Sequence, residues 1–151
     1  RAGIQQNINV LLNRIHQKDH RFLVMVVDLD GLKYINDTLG HQAGDQAILE
    51  IARILLSEVS DIEMCARTGG DEFVLLGCGN YSDSKIDDTI QKIAQKLQAI
   101  NASHKLPFHL SASVGGVLER ISQARDIEAL YQKADENMYQ MKKIHHGNTR
   151  K

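Results

Sequence analysis

Cysteine is scarce in this 151-residue chain, with Cys65 and Cys78 alone. Neither has a cysteine or histidine at metal-ligand spacing, which argues against a zinc site or a disulfide and for buried, reduced thiols. No apolar run approaches the roughly 20 residues of a membrane-spanning helix, and no secretory signal opens the chain. Net charge is nearly absent: 18 Lys and Arg against 19 Asp and Glu leave −1, with a pI near 6.7. Bulk electrostatics therefore do not imply a nucleic-acid backbone as partner, while a mononucleotide stays open. Internal repeats, low-complexity tracts and linker-like stretches are also missing. The length suits one ordinary domain with its own core rather than two. The chain begins at Arg1 instead of Met, which suggests a piece of something longer.

The hydrophobic pattern that is present alternates between helical and strand periods. Ile4, Ile8, Leu11 and Ile15 share a helical face, so residues 1–20 are expected to form an N-terminal helix. Phe22 to Asp30 reads as a buried strand that stops in two carboxylates. A short helix over Lys33–Leu39 is closed by Gly40. A longer helix follows with Ile48, Ile51 and Leu55 inward. Two strands flank Gly69-Gly70, and a loop spans Gly77–Ser84. Ile86, Ile90, Ile93, Leu97 and Ile100 stripe the next helix, which Leu106-Pro107 breaks. His109–Leu118 reads as a further strand, and Ile127, Leu130, Ala134, Met138 and Met141 form the face of the last helix. A helix followed by βαββαβα is an α+β fold, ferredoxin-like, with a mostly antiparallel central sheet and flanking helices.

The chemistry concentrates in two strand ends. In Gly69-Gly70-Asp71-Glu72-Phe73 a Gly-Gly turn, a pair that tolerates positive φ, precedes two carboxylates at the start of a strand. The strand from Phe22 ends in Asp28-Leu29-Asp30, whose two carboxylates share a face in extended geometry. If these strands are antiparallel neighbours, Asp28, Asp30, Asp71 and Glu72 gather at one sheet edge. Such a cluster raises its own pKa values unless a cation is present, and all-oxygen ligands on a rigid sheet suit Mg²⁺ or Mn²⁺. The alternative is acids that end strands and face water.

These residues resemble the GGDEF domain, the catalytic domain of diguanylate cyclases, whose signature stands letter for letter at Gly69–Phe73. Asp28-Leu29-Asp30-Gly31-Leu32-Lys33, Asn36–His41, Gly44-Asp45, Ser111–Gly115 and Ala134–Lys142 agree in order and spacing, and the match runs from about residue 1 to 148. The resemblance implies a nucleotidyl cyclase palm that condenses two GTP into cyclic di-3′,5′-GMP and two pyrophosphates. It implies a homodimer with one GTP per subunit, an upstream sensor region and a cytoplasmic location.

The resemblance also implies roles. Asp28, Asp71 and the carbonyl of Leu29 match the metal ligands, and Glu72 serves the metal or activates the 3′-hydroxyl. Asp30 either touches the metal site or is structural. Gly69 and Gly70 shape the turn. Backbone amides from Leu29 to Lys33, Leu32 among them, cradle phosphate, with Lys33 adding charge or merely facing solvent. Asn36 and Asp45 match the guanine-reading pair; without the resemblance they read as helix-cap residues. Lys142 matches a phosphate-binding lysine. One turn later His146 replaces an arginine, losing the bidentate fork and a permanent charge. The Arg-x-x-Asp tetrad of the family's product-inhibition site reads here Ser60-Asp61-Ile62-Glu63, so the cation that would grip the product is missing.

Overall fold

The computed structural model describes residues 20–58, 64–123 and 125–149. The expected helix over residues 1–20 falls, but for His20, outside these, as do Ser60 and Glu63. Along the chain run β1 (Arg21–Leu29), α1 (Leu32–Leu39), α2 (His41–Ser57), β2 (Met64–Arg67), β3 (Glu72–Gly79), α3 (Lys85–Ala102), β4 (Ala112–Glu119) and α4 (Asp126–Thr149). The four strands order as β2-β3-β1-β4 with every neighbour antiparallel. β1 and β2, joined through two helices, are separated by β3, the split βαβ arrangement of ferredoxin-like α+β folds.

β1 is buried on both faces and sorts its side chains by parity. Leu23, Met25, Val27 and Leu29 join Ile51, Leu55, Ile93 and Leu97 of α2 and α3 in one core, and Phe22, Val24 and Val26 join Ile127, Leu130, Ala134 and Met138 of α4 in the other. The stripes read from the sequence are these inward faces, with Ile48, Ile86, Ile90, Ile100 and Met141 packed at the core margins. Gly115 lets α4 close on β4: a Cβ there would lie 2.1 Å from the backbone nitrogen of Met138 and 2.4 Å from the carbonyl oxygen of Ala134.

Four local expectations are corrected. β4 begins at Ala112 rather than His109 because the side chain of Asn101 takes both backbone groups of Leu110, at 2.8 Å each, in place of a ladder partner. α3 stops at Ala102, short of Pro107, where His104 takes a left-handed φ of 54°. The Gly69-Gly70 turn is wider than a two-residue hairpin, with Arg67 opposite Phe73, and neither glycine has a left-handed φ. Their carbonyls instead accept the Arg67 guanidinium, at 3.0 Å from Gly69 and 2.7 Å from Gly70. β3 also runs on to Gly79, shortening the expected loop.

Candidate active site

Asp28 near the end of β1 and Glu72 at the start of β3 are directly paired. Paired residues share a face of the sheet, here the one covered by α4, since Phe22, Val24 and Val26 of the same parity meet that helix. Asp71 precedes β3 in the turn, and its carbonyl accepts the Leu29 amide at 2.9 Å. The antiparallel pairing thus brings the acidic strand ends together.

Each carboxylate has its own environment. Burial pushes the Asp28 carboxyl up to about 6; the Lys142 ammonium, 2.8 Å from Oδ2, opposes the rise, and the neighbouring Asp71 carboxylate adds to it. Asp28 Oδ1 is buried with no hydrogen-bond partner among the described residues. Asp30 is fully engaged: Ser111 and Ser113 each donate at 2.7 Å, and His145 Nδ1 lies 2.7 Å away. Burial works to raise the Asp30 carboxyl, but the bonds from Ser111, Ser113 and His145 hold it below the usual range. Of the two readings of Asp30, this environment favours the structural one. Glu72 Oε2 accepts Thr68 Oγ1 at 2.5 Å and Tyr131 OH at 2.9 Å.

The donor set fits a small hard cation. A buried carboxylate oxygen without a donor, beside a second carboxylate, is a group that a divalent ion satisfies. Among the described residues no three His, Cys, Asp or Glu side chains form a ready metal cage. Two carboxylates and a carbonyl match the sparse protein coordination typical of Mg²⁺, which keeps waters and substrate phosphates as further ligands.

Gly31, with φ 70°, turns the chain from β1 into α1. The helix has no side-chain cap and no acid in its first turn, so its leading N–H groups suit an anion. The Leu32 side chain packs against the core while Lys33 is exposed. Asn36 lies over Gly44 at the start of α2: a Cβ at Gly44 would fall 1.7 Å from Asn36 Oδ1. Asp45 follows Gly44 and is exposed. Lys142 and His146, one turn apart on α4, line a cleft of about 330 Å³ with Tyr139, Lys143 and Gly147. Lys142 also reaches the Leu29 carbonyl at 3.4 Å, so its ammonium now sits on two of the expected metal ligands.

A family model described as "Diguanylate cyclase, GGDEF domain" matches residues 1–148. The chain belongs to the GGDEF family. It is 32% identical over 145 residues to the diguanylate cyclase DgcN of Escherichia coli, covering 94% of this chain and 34% of DgcN. It is 31% identical over 142 residues to the cyclic di-GMP phosphodiesterase PdeR of the same organism, covering 94% of this chain and 21% of PdeR. The chain therefore spans about a third or less of either protein. The crystallised GGDEF domain of PA1120 from Pseudomonas aeruginosa superposes with a TM-score of 0.78 at 30% identity, over 95% of this chain and 89% of that one. Membership implies a metal-dependent nucleotide cyclase fold. No helix among the described residues is long and apolar enough to cross a membrane.

Thr68 and Tyr131 touch Glu72 and His145 touches Asp30, yet the sequence assigns none of the three a role. In the sequence Tyr131 sits beside an apolar stripe and His145 precedes His146. Their hydrogen bonds span 59 residues for Tyr131–Glu72 and 115 for His145–Asp30, separations that no local motif encodes.

Proposed function

We propose that this domain is a diguanylate cyclase, joining two GTP into cyclic di-3′,5′-GMP with release of two pyrophosphates. The observation that carries the reading is Asp28 at the end of β1 beside Asp71 of the GGDEF turn, with Asp28 Oδ1 buried and unpartnered among the described residues and its carboxyl pushed up to about 6. Asp28, Asp71 and the Leu29 carbonyl would hold Mg²⁺ or Mn²⁺, which when bound lowers the 3′-hydroxyl pKa and neutralises charge on the leaving phosphates.

The chain's own groups bind and orient. Amides of the Gly31 turn with Leu32 and Lys33 cradle phosphate, and Lys142 and His146 add to that grip. Asn36 and Asp45 read guanine, where a carboxylate accepts the N1–H and N2–H that adenine lacks. Gly69 and Gly70 hold Asp71 and Glu72 in place. The ribose 3′-oxygen forms a bond to the α-phosphorus of the second GTP as the bond to the bridging oxygen breaks, pyrophosphate leaves, and the hydroxyl proton passes to Glu72 or to solvent. A second such step closes the ring. Each subunit of a homodimer brings one GTP, so the two-fold axis makes both bonds by one chemistry. An upstream sensor region would set the effective concentration of the two domains.

A weaker, GTP-binding regulatory role is the second reading, favoured by His146 in place of a family arginine. The deciding experiment incubates the concentrated domain with GTP and Mg²⁺ and separates products by chromatography, with Asp71→Ala as control. Cyclic di-GMP that disappears in the control supports the cyclase. GTP binding without product supports the regulatory reading.

A further inference from the structure

Glu72 presents its carboxylate in one orientation because two donors from separate elements converge on a single oxygen. Thr68 Oγ1 reaches Oε2 at 2.5 Å from the turn, and Tyr131 OH reaches it at 2.9 Å from α4. A glutamate has three rotatable bonds, and rotation about the last would break both hydrogen bonds at once. Oε1 is the oxygen this arrangement leaves for a ligand. The Tyr131 ring is packed against the cluster of Phe22, Val24, Val74 and Leu130, so the donor stands on a rigid base.

We infer that Tyr131 is a positioning residue for the reaction, locking Glu72 so that Oε1 alone faces the reacting groups. This rests on the proposed cyclase activity and deepens it, since Glu72 needs a defined orientation whether it serves a metal or the 3′-hydroxyl. Lys142 sits eleven positions beyond Tyr131, about 16 Å along the helix axis, and it holds Asp28 as Tyr131 holds Glu72. The two paired carboxylates are thereby tied to one helix at well-separated points.

Tyr131→Phe keeps the packed ring and removes only the donor. The expected result is a fall in kcat of about tenfold, with KM for GTP and equilibrium GTP affinity within about twofold of wild type, because an oriented group has been loosened while the groups that bind GTP are untouched. A purely structural tyrosine would leave that split unmoved. A kcat within about twofold of wild type, or a loss carried by KM or by failure to fold, overturns the role of Tyr131 alone. Absence of product from the wild-type domain overturns the proposed function and this role with it.

Discussion

Lys142 Nζ lies 2.8 Å from Asp28 Oδ2, and the Asp28 carboxyl is nevertheless pushed up to about 6. Burial and the adjacent Asp71 carboxylate outweigh the ion pair. The acidic edge is therefore electrostatically unfavourable in the metal-free chain, as expected where structure is held for binding rather than for stability.

Replacing Asp28 by Asn should stabilise the metal-free domain at high pH. The folded pKa lies above the ordinary 3.8, so the native state binds this proton more tightly than the unfolded chain. Its contribution is present below the unfolded value and is lost as pH rises through about 6. Asp28→Asn removes that loss. With solvent screening discounted, the gain is about 1 kcal/mol, or roughly 2–4 °C in Tm at about pH 8, and it vanishes near pH 4. Thermal melts of both proteins in chelator at the two pH values test this; equal Tm differences at both would contradict it.

Gly44→Ala should separate nucleotide binding from folding. The added methyl would collide with the far end of the Asn36 side chain, which can swing away, so the fold is spared. Alanine in a helix interior gains about 0.5–1 kcal/mol over glycine. Calorimetric titration should show GTP affinity about tenfold weaker, the size of one polar interaction, while Tm is unchanged or higher. Unaltered GTP affinity would remove Asn36 from the guanine site.

Gly115→Ala should do the opposite. Its methyl meets backbone atoms of α4 that cannot give way without moving the helix. Overpacking of this kind costs about 3 kcal/mol, roughly 6–12 °C in Tm. Lys142 and His145 ride on α4, so amide and side-chain NMR signals at Asp28 and Asp30 should shift as well. A wild-type Tm would show that the helix slides freely over β4.

Cyclic di-GMP at micromolar concentration should leave the initial rate of synthesis unchanged. By the resemblance to the family, Ser60 takes the tetrad arginine's place in the sequence and lacks the cation that would grip the product. Rates measured with and without added product check this, and inhibition abolished by altering Ser60 or Glu63 would refute it.

The acidic strand ends could be read from the sequence because strand parity, a turn and two glycines are local signals. β1 and the inward stripes of α2, α3 and α4 follow from the hydrophobic periodicities, while the strand order β2-β3-β1-β4 rests on pairings between distant segments. The start of β4 could not be read, since it depends on an Asn101 side chain that intercepts Leu110. The engagement of Asp30 was equally hidden: its partners lie 81 to 115 residues away, Ser111 and Ser113 meeting it through the pairing of β4 with β1 and His145 through the crossing of α4 over the sheet. Asp28 and Asp30 look alike in the motif, and three distant donors make them different.

With Asp30 saturated by Ser111, Ser113 and His145, the proposed ion site offers two formal negative charges from protein, and an octahedral cation needs more oxygens than Asp28, Asp71 and a carbonyl supply. On the proposed reading, water and the triphosphate would fill the remaining positions, and ion and nucleotide would each strengthen the binding of the other by the same factor.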